Sequence, residues 1–255
     1  MDHMIDRSKI CAIAVMAKAP QAGRSKTRLV PALSPEQAAA MSAAFLRDIT
    51  ENIVAAGRIE AIDGYIAYAP AGLEGLFDGH LAPGTGQVLA DGAPAVPAGV
   101  AGFGRCLLHA IETLLAAGYG AAIVLNSDSP TLPTAFLAQA AAALAAPGER
   151  AVMGPAEDGG YYLLGVKSAQ AHLFKDIPWS TADVAARTRE RAAEIGLTLT
   201  ELPAWYDVDD ESALELLIAH ISAPPVQGHP PYPAPVTAAL LRRLGRLAPD
   251  LRKSA

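Results

Sequence analysis

Apolar and polar positions along this chain repeat with two different periods, and the switches between them mark out a series of short strands and amphipathic helices. Residues 10–17 form an unbroken eight-residue apolar run, which suits a strand buried on both faces. A helix is predicted over 34–56, with Ser34 as N-cap, Pro35 at the first helical position, Glu36 as an early acid and Gly57 as the stop. Residues 61–68 alternate as a strand closed by Pro70. Glycine and proline recur through 71–104, so only 87–90 reads as a short strand there. The rest is expected to hold short elements or a lid. Helical spacing returns over 105–117 at Leu107, Leu108, Ile111, Leu114 and Leu115. The pattern then predicts strands at 121–125, 151–154, 161–166 and 198–202, with helices at 134–146, 182–195 and 211–221. Alternating strands and helices imply an α/β fold with a mainly parallel sheet and helices on both faces.

The periodic region, residues 9–221, reads as one domain, which is within the reach of a single core. A change of composition sets off 222–255: Pro224, Pro225, Pro230, Pro231, Pro233 and Pro235 lead as a semi-rigid linker into a basic amphipathic helix over 236–247. That helix is expected to dock on the domain or on a neighbouring subunit of a homo-oligomer. With 51% hydrophobic and 18% charged residues, the chain is not of disordered type. No apolar run approaches the roughly 18 residues that a membrane span needs. Residues 10–19 imitate a signal sequence, but the apolar core is short and Lys18 sits in the would-be cleavage site. Cys11 and Cys106 give neither a disulfide framework nor metal-ligand spacing, so a cytoplasmic location is expected.

Charge changes the picture most sharply just after the first strand. Residues 18–29 read KAPQAGRSKTRL and carry Lys18, Arg24, Lys26 and Arg28 around Gly23, although the whole chain has a formal net charge of -6. Cations gathered in one loop against an acidic average point to a local anionic ligand, and a phosphate fits best; nucleic acid is excluded. The loop is neither a Walker A nor a GxGxxG motif. Ligands of open α/β sheets bind at the carboxyl ends of strands. Three further segments fall at such ends: 126–133 (NSDSPTLP), 156–160 (AEDGG) and 207–210 (DVDD).

All three are acidic, so a phosphate-bearing ligand with a hard divalent cation is expected, Mg²⁺ preferring carboxylate and phosphate oxygens. Asp128 is the sharpest candidate ligand, flanked in sequence by Ser127, Ser129 and Pro130 and not by partner cations. Asp207 and Asp209, one residue apart, would point to one side of an extended strand end, and either could be a second ligand. Asp158, Gly159 and Gly160 combine a carboxylate with backbone able to approach a ligand closely. Tyr161 offers a stacking ring, or else fills the core. Trp179, Ser180 and Thr181 offer a flat surface and hydroxyls, with Ser180 alternatively the N-cap of the next helix. The six histidines are scattered, and no serine, histidine and acid set suggests hydrolysis.

Taken together, KAPxxGxxKTRL, SDSPTLP, GPAEDGGYYLLG, IPWST and DVDD, in this order over 9–221, resemble the GT-A-fold transferase family known as radical-SAM/selenodomain-associated, or arsenosugar-biosynthesis-type, glycosyltransferases. The KTRL loop is more distantly similar to that of 2-phospholactate guanylyltransferases and other nucleotidyltransferases. The resemblance implies a Rossmann-like GT-A fold and a nucleotide across the first strands. It also implies Mg²⁺ or Mn²⁺ on an acid matching Asp128, with Asp209 or Asp207 as the second ligand. Lys18, Gly23, Arg24, Lys26, Arg28 and Ser127 would hold the nucleotide, and Lys26, Arg28 and Asp128 would act on its phosphates. Two departures stand out. The acidic site reads Asn126-Ser127-Asp128 in place of a full Asp-x-Asp, and Cys106 in Phe103-Gly104-Arg105-Cys106-Leu107 takes the place of the family's arginine. The first reading is nucleotidyl transfer from an NTP to a small phosphorylated or acidic acceptor. The alternatives are glycosyl transfer from a nucleotide sugar, and nucleotide binding without catalysis.

Overall fold

A computed structural model describes residues 6–30, 32–91, 96–223 and 228–248. Pro224 and Pro225 of the proline-rich stretch, and the last residues of the tail, lie outside the described residues. The strands are β1 (Cys11–Ala17), β2 (Ile62–Tyr68), β3 (Gly86–Leu89), β4 (Ala121–Leu125), β5 (Arg150–Pro155), β6 (Tyr161–Val166) and β7 (Thr198–Glu201). Between and after them run helices α1 (Pro35–Ala56), α2 (Phe103–Ala116), α3 (Thr134–Ala145), α4 (Val184–Glu194), α5 (Glu211–Ser222) and α6 (Pro235–Arg243).

One seven-stranded sheet has the order β3-β2-β1-β4-β6-β5-β7. β6 runs antiparallel to both its neighbours, while the other pairs are parallel. The carboxyl ends of β1, β4, β5 and β7 and the start of β6 therefore share one rim. The order reverses at β1, whose successors β2 and β3 lie to one side and β4 to the other. The loops leaving β1 and β4 flank that switch point, where open α/β sheets form their ligand crevice.

Side-chain alternation gives the sheet two unlike faces. Cys11, Ile13, Val15, Ile123 and Leu125 join the core under α1, α3, α5 and α6. Ala12, Ala14, Ala67 and Ala122 face the other way, where small side chains leave room for Leu107, Leu108, Ile111 and Leu114 of α2. Burying each of those four large side chains contributes about 1.5–3 kcal/mol.

Local signals place the helix ends. Ser34 and Gln37 form a full capping box at the start of α1, with Pro35 next to the cap. Of the two roles open to Ser180, the helix cap is not formed: α4 starts at Val184 with Asp183 at its N-cap, and Ser180 has φ +66° in the turn before it. The 71–104 stretch holds a 3-10 turn at Glu74–Phe77, which buries Phe77, and β3, one residue earlier than expected at each end. α6 packs on α1, where the fully buried Asp48 accepts the N–H groups of Val236 (2.9 Å) and Thr237 (2.7 Å). It thus caps a helix that has no cap of its own.

Candidate functional site

The loop after β1 is shaped by a residue that no pattern singled out. Ser25, almost fully buried, accepts the Gln21 N–H (3.0 Å) and donates to the Ala19 carbonyl (3.1 Å). This knot turns the loop outward so that Lys18, Arg24 and Arg28 are all exposed. Gly23, at φ +73° with open space where a Cβ would stand, supplies the left-handed turn between them.

Lys26 alone of the four cations turns inward. Its residue is left-handed (φ 49°, ψ 42°) and precedes the 3-10 turn Thr27–Leu29. Its ammonium lies 2.7 Å from Asp128 Oδ1, 3.0 Å from Asp209 Oδ1 and 2.7 Å from the Val208 carbonyl oxygen. The ammonium also lies over the Phe45 ring, with Nζ 5.5 Å from its centroid. Arg28 Nη1 adds a looser contact, 3.7 Å, to the other oxygen of Asp209. Asp128 is therefore not free of partner cations, as its sequence neighbours suggest. Its cation comes from a loop a hundred positions away, which no local pattern reveals.

The acidic loops are stitched together beneath this contact. Val208 N–H donates to the Asp128 carbonyl (2.8 Å), and Ser129 Oγ to the Tyr206 carbonyl (2.9 Å). The hydroxyls of Thr131 and Tyr206 share a 2.7 Å hydrogen bond. Ser127 Oγ donates to Asp128 Oδ1 (3.0 Å), so Ser127 orients the carboxylate. Ser129, Tyr206 and the Val208 carbonyl were not singled out by sequence, because framework hydroxyls and carbonyls carry no spacing signature.

Asp207 lies beside this pair. Burial, then the charges of Asp158, Asp209 and Asp128, push its carboxyl up to about 6. Among the described residues Lys26 pairs with Asp128 and Asp209 and not with Asp207. Asp210 accepts the Ala213 N–H (3.0 Å) as the N-cap of α5.

The 156–160 segment reaches the same rim by a different route. Asp158 Oδ1 accepts the Gly160 N–H (2.8 Å) in a local turn. Gly159, at φ +91°, lets the backbone of Ala182 approach so closely that a Cβ would sit 2.1 Å from its carbonyl oxygen. The close approach expected for a ligand is thus made to the chain itself. Trp179 stacks edge-on against Tyr161 (6.5 Å) and Phe103 (5.6 Å), covering Gly104 at the start of α2. Thr181 Oγ1 donates to the Pro178 carbonyl (2.8 Å), closing the turn. Lys26, Arg28, Ser127, Asp128 and Asp209 thus form one contact group. Trp179, Tyr161, Gly159, Gly160 and Asp158 form an adjoining one, tied to the first through the field at Asp207.

The donor set decides whether a hard divalent cation fits. Asp128 and Asp209 present carboxylate oxygens that already converge on one positive charge, and both keep a face to solvent at 30% and 40% exposure. Their chemistry suits Mg²⁺ or Mn²⁺. Two carboxylates are a spare set, since among the described residues no three acidic, histidine or cysteine side chains meet at one point. They fit an ion that completes its shell with water and ligand phosphates.

A solved structure from Desulfovibrio desulfuricans G20, provisionally described as a nucleotide-diphospho-sugar transferase, is 28% identical. The match covers 92% of this chain and 95% of that one, with a TM-score of 0.75. A nucleotidyl transferase from Methanothermobacter shares the fold at 18% identity and TM-score 0.50, over 83% and 97% of the two chains. No curated protein matches the chain. Residues 53–181, just over half of the chain, match the model of a family described as an uncharacterized protein conserved in bacteria, DUF2064, and the chain belongs to that family.

Proposed function

We propose that the chain is a nucleotide-using transferase that joins a nucleoside monophosphate unit from an NTP to a small phosphorylated or acidic acceptor, with loss of pyrophosphate. One observation carries this reading: an outward-facing basic loop and a pair of carboxylates meet through Lys26 at the switch point of the sheet. Lys18, Arg24 and Arg28 lie exposed where a triphosphate would be neutralised. Gly23 gives the backbone the turn needed to follow it.

In the reaction, an acceptor oxygen attacks the α-phosphorus in line and the bond to the bridging oxygen breaks. Pyrophosphate leaves against the cations of the loop, and the acceptor's proton passes to solvent or to a nearby carboxylate. Asp128 and Asp209 would hold Mg²⁺ or Mn²⁺, which supplies charge neutralisation to the phosphate oxygens when bound. Asp158, Tyr161 and the Trp179–Thr181 turn border the acceptor side of the rim.

A second reading, glycosyl transfer from a nucleotide sugar, is favoured by the Desulfovibrio relative and by the motif resemblance to the radical-SAM/selenodomain-associated glycosyltransferases. It uses the same residues on a diphosphate. Thermal-shift measurements with NTPs and with UDP- and GDP-sugars, each with and without Mn²⁺, separate the two, because a ligand of the folded state alone raises its melting temperature. A metal-dependent shift with an NTP and none with the sugars is expected. The reverse pattern replaces the first reading with the second, and no shift with any of them removes both.

A further inference from the structure

Lys26 has the surroundings of a bound ion. Three oxygens from two loops lie within 3.0 Å of its ammonium, two of them anionic. The ammonium side chain is only 7% exposed, while the carboxylates it joins stay open to solvent. It therefore fills the oxygen cluster from beneath and leaves the outer face accessible. The backbone holds this pose in a left-handed conformation, which costs a lysine about 1 kcal/mol. Three other cations of the same loop are already turned outward, on the side where a phosphate would arrive.

We propose that Lys26 is the resident occupant of the cation position between Asp128 and Asp209, keeping divalent metal out of the ligand-free protein, and that a di- or triphosphate draws it away and opens the position. This rests on the reading of the rim as a nucleotide site. The physical basis is competition for one set of oxygens. While the ammonium neutralises both carboxylates, a divalent ion gains little there and must expel a hydrogen-bonded charge. Once Lys26 swings to a phosphate, Asp128 loses its cation and Asp209 keeps only the looser contact with Arg28, so Mg²⁺ or Mn²⁺ is favoured. Phosphate ligand and metal then bind cooperatively, because both prefer the state with Lys26 turned out.

The test needs no nucleotide. Mn²⁺ alone is titrated into the full-length wild-type protein and Lys26→Met, which keeps an unbranched apolar side chain beside Phe45, with free Mn²⁺ read by electron paramagnetic resonance. Lys26→Met is expected to bind Mn²⁺ at least about tenfold more tightly than wild type. Adding Asp128→Asn to that variant should abolish the gain, and Lys18→Met, with the same change of charge in the same loop, should not produce it. Equal affinity of Lys26→Met and wild type overturns the proposal, as does a gain that survives Asp128→Asn or appears equally in Lys18→Met. Lys26→Gln, still able to donate to the Val208 carbonyl, gives the same readout if the methionine variant does not fold. Failure of the nucleotide screen would remove the function proposed above while leaving this metal measurement to stand or fall by itself.

Discussion

Two charges are buried in this molecule in opposite ways. Asp48, in the middle of α1, is sealed from solvent and spends its oxygens on the backbone N–H groups of Val236 and Thr237, and among the described residues it has no cation in hydrogen-bonding contact. Lys26 is nearly as enclosed, but its partners are two carboxylates open to solvent, and its backbone is left-handed. The first arrangement is closed: both carboxylate oxygens are taken by backbone donors away from solvent, where no other partner can reach them. The second is open, since its anions could trade the ammonium for another cation and the ammonium could trade them for another anion. A buried charge is thus a weak guide to function by itself. Whether its partners can be exchanged from solvent is the better guide.

Replacing Asp128 by Asn sharpens the contrast most. On the open side, turnover is expected to fall by about 10²–10³-fold, because the proposed reaction loses a carboxylate that would hold the metal at the phosphates. Stability should change by less than about 1 kcal/mol, as Lys26 keeps Asp209 and the Val208 carbonyl. Steady-state rates with the donor found by the thermal-shift screen, together with urea denaturation, report the two quantities. Full activity in Asp128→Asn would remove this carboxylate from the chemistry.

The closed charge should behave the other way round. Asp48→Ala leaves two backbone donors at the start of α6 without acceptors and is expected to cost about 3 kcal/mol in urea denaturation, with activity per folded molecule unchanged. Burial pushes the Asp48 carboxyl up to about 6, against hydrogen bonds from Thr237 and Val236 that pull it down and with Glu51 adding to the rise. Its folded value thus lies above the ordinary 3.8 of an aspartate, and between the two the folded state holds the extra proton. This group's contribution to stability is then fully present below pH 4 and declines as pH rises towards 6. Asp48→Asn removes that decline, so wild type should lose about 2 kcal/mol relative to it between pH 4 and pH 7. A difference that does not vary with pH would mean that folding does not raise the Asp48 carboxyl.

The same comparison shows what the sequence makes legible. Strands such as β1 and β4 and the capped start of α1 stand out because each is written in neighbouring residues. The shared rim follows as well, since a parallel sheet carries the ends of β1, β4 and β7 to one side. The direction of β6 does not, because an apolar strand buried on both faces looks alike either way. The Lys26–Asp128 pair is hidden for a related reason: nothing near either residue encodes a contact across a hundred positions. Asp48 did leave a trace, an acid set between Phe45 and Asn52 on the buried stripe of α1. Gly159 is legible only as a need for close approach, and the identity of its neighbour, Ala182, is tertiary information.

Ser25 gives the smallest effect and the finest division between the two kinds of site. It is buried and fully hydrogen-bonded like Asp48, yet it lies in the loop that presents the exposed cations. Ser25→Ala takes the acceptor from the Gln21 N–H and the donor from the Ala19 carbonyl, at a cost of about 1 kcal/mol in urea. If those bonds serve only to fold the loop, donor affinity will match wild type once stability is accounted for. If they set the spacing of Lys18, Arg24 and Arg28, affinity measured by calorimetry should weaken several-fold, because cations on a loosened loop must be ordered by the ligand at the moment of binding. We expect the second outcome, since the bonds of Ser25 to Gln21 and Ala19 fix the loop between β1 and the inward-facing Lys26.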